Sequence, residues 1–185
     1  QKTAYEISLG LVGSEMCIRD RNRSGVYEDV DGLISTNKTY VLSILIADCV
    51  PLFLLCTRTN CSALIHSGWR GAEKNIASIA INDLKSLGVR SFDIKAVIGP
   101  CIKQCCFQVD RDVAEKFNTN YSINSKNSKF MLDLSNVVYD QLIDCGVSKD
   151  SILLDANCTF CNKSYFSFRR EGDSAGRMVA LAGWY

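Results

Sequence analysis

Three short apolar runs, at 40–46, 52–56 and 61–66, are rich in Ile, Val and Leu and are separated by turn-forming residues. Runs of this length between such breaks predict strands. Residues 29–36 read as a turn feeding another strand. Gly68 and Gly71 break the pattern, and the period then changes. Ile76, Ile79, Ala80, Leu84 and Leu87 recur at helical spacing, so 72–87 predicts a helix that Gly88 stops. Residues 94–98 predict a strand ending at Gly99-Pro100, and 110–117 a short helix with Val113 and Phe117 on one face. The polar stretch 118–129 reads as a surface loop. Asp133 is placed to cap a helix through Cys145 that carries Leu134, Val137, Val138, Gln141 and Leu142, and Gly146 ends it. Residues 152–154, 165–168 and 178–181 predict later strands. Strands and helices mix without a strict βαβ rhythm. The expected fold is therefore α/β (α+β): mixed β-sheets flanked by helices in a single compact domain, not a doubly wound one.

Composition narrows the function classes. The chain has 185 residues, 47% hydrophobic and 22% charged, which excludes a disordered chain, a collagen and a coiled coil. Its 21 Lys+Arg against 20 Asp+Glu leave a net charge of +1, no field with which to hold nucleic acid or an anionic membrane. No apolar run approaches the roughly 20 residues of a membrane-spanning helix. The chain carries ten cysteines. Without a basic and then apolar leader at the N-terminus, these read as free thiols of a reducing, cytoplasmic compartment, partly core and partly chemical. There is a single histidine, His66.

The N-terminal stretch SLGLVGSEMCIRDR, at 8–21, resembles the conceptual translation of a sequencing-library adapter. The expectation is that 1–21 is an artefact segment that includes Cys17. The domain proper then runs over 22–185 and is truncated at its N-terminus.

The chemistry concentrates in Ala47-Asp48-Cys49-Val50-Pro51 and His66-Ser67-Gly68-Trp69-Arg70-Gly71. Cys49 follows one apolar strand and precedes a proline. His66 ends another strand before a glycine-bounded turn. Neighbouring strands joined this way can bring both side chains to one sheet edge. A thiol beside an imidazole serves as a nucleophile–base pair or as two ligands of zinc or copper. The bland alternative is a buried structural cysteine and a satisfied histidine. Arg70, between two glycines, is suited to holding a phosphate by paired hydrogen bonds.

Other groups carry weaker signals. Gly99-Pro100-Cys101 can expose backbone N–H groups to a pocket. Cys101, Cys105 and Cys106 could ligate a metal, but their spacing is no standard zinc spacing and ordinary thiols are the favoured reading. Cys158-x-x-Cys161 is half of a zinc knuckle or a redox pair, with no second pair evident, and Asn157 or Thr159 lining a pocket is an equal reading. Arg169, Arg170 and Arg177 are solvated or contact an anion or nucleobase.

Taken in order, ADCVPLFLL, ALIHSGWRG, IGPCI…CCFQV, LDL…QLIDCGV and CT…YFSFRRE…GR resemble the multicopper polyphenol oxidoreductase (laccase-domain) family, also described as purine nucleoside phosphorylase/adenosine deaminase-like. The resemblance runs over about 29–180. It implies zinc held by one Cys and two His, phosphorolysis of adenosine, inosine, guanosine or methylthioadenosine, and hydrolytic deamination of adenosine. The older laccase label implies copper and phenol oxidation, against which a single histidine argues. By motif position it implies that Cys49 and His66 are metal ligands, that Cys49, His66 and Arg70 are catalytic, and that Arg70 contacts phosphate or substrate. Asp48, Cys158 and Arg169 fall at substrate-side positions. The implied partners are purine nucleosides and phosphate, with no nucleic acid and no membrane. The resemblance also implies a second ligand histidine upstream of DVDGL, and no histidine stands there. A metal-free Cys–His hydrolase and a non-catalytic thiol-rich binding module remain open beside these readings.

Overall fold

The computed structural model describes residues 30–184, together with the backbone of three short strands before them, at 6–10, 18–20 and 26–27. The adapter-like stretch otherwise lies outside the described residues, as does Cys17.

The centre of the molecule is a hairpin of β6 (Val50–Cys56) and β7 (Cys61–Ser67). Cys56 pairs with Cys61 across its turn, where Asn60 takes a positive φ of 55°. Asparagine tolerates that conformation better than most residues. β7 pairs antiparallel with β4 (Gly32–Ser35), and β6 with β8 (Lys95–Ile98). β12 (Ile152–Leu154) and β2 (Ile18–Asp20) add parallel edges, completing a mixed six-stranded sheet in the order β12-β8-β6-β7-β4-β2.

Side chains alternate across this sheet and build two cores. Leu52, Leu54, Ala63 and Ile65 face α2 (Ile76–Ser86) and α4 (Leu134–Asp144). α2 returns Ile76, Ala77, Ala80, Ile81 and Leu84 to that face, all of them buried. Leu33, Phe53 and Leu64 point the other way, towards Leu42, Ile44 and Ile46 of β5 (Tyr40–Ile46). β5 belongs to a second sheet, ordered β13-β5-β1-β3, with β1 (Glu6–Gly10), β3 (Val26–Tyr27) and β13 (Met178–Ala182). A third, antiparallel sheet joins β9 (Gln108–Val109), β11 (Phe130–Leu132) and β10 (Ser122–Asn124). The architecture is thus a mixed α/β domain with several mixed sheets and flanking helices.

Four local expectations are corrected. Gly68–Gly71 is not a tight turn: α1 (Trp69–Glu73) starts there, with Gly68 as its N-cap in extended conformation. The helix expected over 72–87 is broken at Asn75, whose φ of 60° separates α1 from α2. The polar stretch 118–129 contains β10, an edge strand paired to β11 by backbone bonds that need no apolar side chains. Finally, 165–168 is not a strand. The Ser167 hydroxyl accepts the Arg170 N–H and starts α5 (Phe168–Glu171), leaving Phe166 and Phe168 exposed. The expected capping at Asp133 is present: its carboxylate accepts the Asn136 N–H at 3.0 Å. The short helix over 110–117 narrows to α3 (Arg111–Ala114).

Candidate functional site

The open end of the β6–β7 hairpin gathers the sequence's most informative residues. Pro51 pairs directly with His66, and Val50 with Ser67, so the ladder runs out where Cys49 and Gly68 follow. A Cβ placed on Gly68 would lie 3.4 Å from Cys49 Sγ and 3.6 Å from His66 Cε1. The thiol and the imidazole therefore meet over a glycine that leaves them room.

A third residue completes this group. β4 places Asp31 beside His66, and its carboxylate Oδ1 is 3.0 Å from His66 Nδ1. The Asp31 and His66 side chains are only 10% and 12% exposed. Burial works against a charged imidazole. The hydrogen bonds to Asp31 and Cys49, and their negative charge, outweigh it and push the His66 pKa up to about 9. With Nδ1–H donating to the carboxylate, Nε2 remains for a ligand or a proton. Sequence reasoning missed Asp31, because nothing local links it to a histidine 35 positions away.

Asp48 sits one residue before Cys49 with a φ of 103°, a conformation side chains rarely adopt. Such a residue costs about 1–3 kcal/mol and persists only where its surroundings fix it. Here Thr159 Oγ1 donates to Oδ1 at 2.7 Å, Arg169 N donates to Oδ2 at 2.6 Å, and Ile102 N donates to the Asp48 carbonyl at 2.9 Å. Asp48 is buried, and both its carboxylate oxygens are bonded within the protein. Its role in the geometry is to hold the turn that presents Cys49.

The remaining candidates lie at different places. Arg70 is exposed in the first turn of α1, stacked 4.2 Å over the Trp69 ring. It makes no ion pair among the described residues. The Arg169 guanidinium donates to the Gln108 carbonyl at 2.8 Å and lies 5.2 Å from the Phe107 ring. Arg170 is structural: it donates to the carbonyls of Thr159, Phe160 and Tyr165. Cys158 is buried and stands with Cys105, Cys106 and Cys161, their sulfurs all within 4.8 Å of one another. The structure thus brings Cys105 and Cys106 beside Cys158-x-x-Cys161 as a second pair of thiols that the sequence spacing did not reveal. Burial disfavours a Cys158 thiolate, but N–H groups of Lys103, Cys161 and Phe160 and the Cys105 thiol point at it and bring its pKa down to about 7. Burial pushes the neighbouring Cys101 thiol up to about 11.

An apolar groove adjoins the hairpin end. It is lined by Ile46, Pro51, Phe53, Pro100, Tyr165 and Met178. Pro51 is the cross-strand partner of His66, so the groove begins one neighbour from the imidazole.

The family profile described as "Multi-copper polyphenol oxidoreductase laccase" matches residues 11–184. The chain belongs to this family. A relative named "Purine nucleoside phosphorylase YlmD", from Geobacillus stearothermophilus, is 31% identical over 163 residues, covering 83% of this laccase-family chain and 60% of the relative. "Adenosine deaminase RL5", from an unknown prokaryotic organism, is 33% identical over 158 residues, covering 81% and 60%. The crystal structure of the Bacillus licheniformis hypothetical protein YfiH superposes with a TM-score of 0.88 at 26% identity, covering 95% of this chain and 74% of that one. The chain spans about 60% of the length of the two curated relatives.

The donor set in this laccase-family chain bears on the implied metal. Cys49 and His66 offer one thiol and one imidazole, and a carboxylate behind the imidazole is the usual support of a metal-binding histidine. The pair fits zinc as two of its ligands. Among the described residues no third donor joins them. With one histidine in the whole chain, a second imidazole ligand cannot come from this sequence.

Proposed function

We propose that this chain carries the catalytic core of a purine nucleoside phosphorylase with adenosine deaminase activity, centred on Cys49 and His66. The convergence of Cys49, His66 and Asp31 at one sheet edge carries the reading, and the relatives' names support it. Cys49 and His66 would hold zinc, which when bound supplies Lewis-acid activation of water or of a polar substrate group.

The chain's own residues do the rest. Asp31 holds the imidazole through Nδ1, which leaves Nε2 to the side shared with Cys49. Asp48 fixes the turn that aims Cys49. The groove from Pro51 to Tyr165 takes the flat, apolar face of a purine. Arg70 is free to bind phosphate by paired hydrogen bonds. In phosphorolysis a phosphate oxygen bonds to ribose C1′ as the C1′–N9 bond breaks, and the base leaves with a proton. In deamination water adds at purine C6 and ammonia leaves. Cys158 and Arg169 support the site through Thr159 and Asp48 instead of touching substrate.

The Asp31–His66–Cys49 chain favours a second reading, a metal-free cysteine hydrolase in which the His66 imidazolium stabilises a Cys49 thiolate and Asp31 orients the ring. One experiment separates the two. This chain, and a form extended to the length of its relatives, are incubated with adenosine and inosine, with and without phosphate, before and after chelation. Free base only with phosphate means phosphorolysis. Inosine from adenosine without phosphate means deamination. Turnover that survives chelation and dies with iodoacetamide means the cysteine hydrolase. No turnover in the zinc-loaded extended form overturns both.

A further inference from the structure

We propose that Cys105, Cys106, Cys158 and Cys161 form a closed, structural zinc site, separate from the Cys49–His66 pair. The four sulfurs lie within 4.8 Å of one another, with Cys106 and Cys161 at 3.3 Å and Cys105 and Cys161 at 3.9 Å. Zinc bound tetrahedrally at about 2.3 Å spaces its sulfurs about 3.8 Å apart, so small shifts bring the cluster to coordination geometry. A disulfide needs sulfurs about 2.05 Å apart, closer than the 3.3 Å of Cys106 and Cys161.

The surroundings are built for charge on sulfur. The Lys103 N–H donates to Cys158 Sγ at 3.4 Å, and the N–H groups of Phe160 and Cys161 turn back on the same sulfur. N–H groups converging on one sulfur are what a ligating thiolate requires and a neutral core thiol does not. The ammonium of Lys103 is buried with no oxygen or nitrogen acceptor among the described residues and acts on the Cys101 thiol, whose backbone bridges to Cys158. Four thiolates around one zinc carry two net negative charges, and this cation offsets part of them.

The site joins two chain segments 52 positions apart, and the same segments hold the Asp48 turn. Ile102 on one segment and Thr159 on the other both bond Asp48. Zinc here pins the loops that aim Cys49. All four ligand positions are filled by protein, so this ion takes no part in substrate chemistry. Cys105 and Cys161 are exposed, which opens the site to metal exchange.

The test uses the full chain, purified under reducing conditions, and its Cys49→Ser/His66→Ala variant, which lacks the other donor pair. The variant is expected to retain one zinc per chain by native mass spectrometry, with four sulfur neighbours by X-ray absorption, and the unmodified chain to retain at least that one. Cobalt in place of zinc is expected to show the intense visible bands of a tetrathiolate. In Cys161→Ser the zinc affinity is expected to fall by at least about 100-fold. Should that variant fail to fold, the absorption data on the Cys49→Ser/His66→Ala variant decide alone. A zinc-free Cys49→Ser/His66→Ala variant, nitrogen neighbours in its spectrum, or a Cys106–Cys161 disulfide in the reduced protein overturns the proposal. None of these readouts depends on nucleoside turnover.

Discussion

Asp31 meets His66 twice: its backbone carbonyl accepts the His66 N–H at 2.7 Å, and its carboxylate lies 3.0 Å from Nδ1. The first bond belongs to the edge of the β4–β7 ladder and fixes where the histidine stands. The second fixes which nitrogen of the ring is left over. The pair also sets a pH dependence in the metal-free chain. His66 rises from 6.5 to about 9 on folding, so its stabilising contribution is complete below pH 6.5. It is lost as pH climbs through about 9, and amounts to about 3 kcal/mol at most. Urea unfolding at several pH values between these limits is expected to show Asp31→Asn losing most of this slope. Parallel profiles for the two proteins would sink the assignment.

Thr159→Val keeps shape and removes one hydroxyl from a fully buried position. It leaves Asp48 Oδ1 without its 2.7 Å donor, in a residue already held at an unfavourable φ. An unsatisfied buried acceptor costs about 1–3 kcal/mol, so the urea midpoint is expected to fall accordingly with an unchanged slope. Activity is expected to fall further than stability, because the Asp48 turn carries Cys49. A variant with unchanged midpoint would show that the carboxylate finds another donor.

The reasons for what was and was not legible in the sequence are physical. The β6–β7 hairpin is local, and its apolar runs end at residues that stop a ladder, so Cys49 and His66 could be placed at one edge. Asp31 reaches His66 only through β4–β7 pairing, which no local pattern specifies. Cys105 and Cys106 meet Cys158 and Cys161 only because Cys101 bridges Cys158. Tyr165, Phe166 and Phe168 mimic a strand by their apolar character, but the Ser167 cap decides the local conformation. β10 hides for the opposite reason: an exposed edge strand is held by backbone bonds, and the single apolar residue in it, Ile123, makes no run to read.

Gly99 reads as a turn glycine, yet its requirement is room. Its N–H donates to the Pro51 carbonyl at 3.0 Å, and an added Cβ would lie 2.8 Å from Pro51 Cγ and 3.3 Å from Phe53 Cε2. The proline ring sits in the central hairpin and cannot swing aside. Gly99→Ala is expected to destabilise the fold by about 1–3 kcal/mol, the usual cost of overpacking. Because Pro51 pairs with His66, the His66 ring resonances are expected to shift as well. Thermal unfolding and NMR spectra check both, and a variant with neither change would mean that β6 and β8 separate freely.

The groove gives a way to separate substrate binding from chemistry. Met178 lines it from β13, and no hydrogen bond or ion pair ties its side chain to Cys49, His66 or Asp31. Met178→Trp fills the space assigned to the purine without touching the thiol or the imidazole. If a nucleoside base lies there, the variant's KM for inosine is expected to rise about tenfold or more, a loss of at least roughly 1.4 kcal/mol of binding, while kcat changes little. Cys49→Ser is expected to do the reverse, lowering kcat while the nucleoside still binds. Steady-state kinetics on the two variants, with binding measured directly by calorimetry, tests the division. An unchanged KM in Met178→Trp would move the base out of the groove and leave Arg70 and the hairpin edge to hold the substrate by its sugar and phosphate side alone.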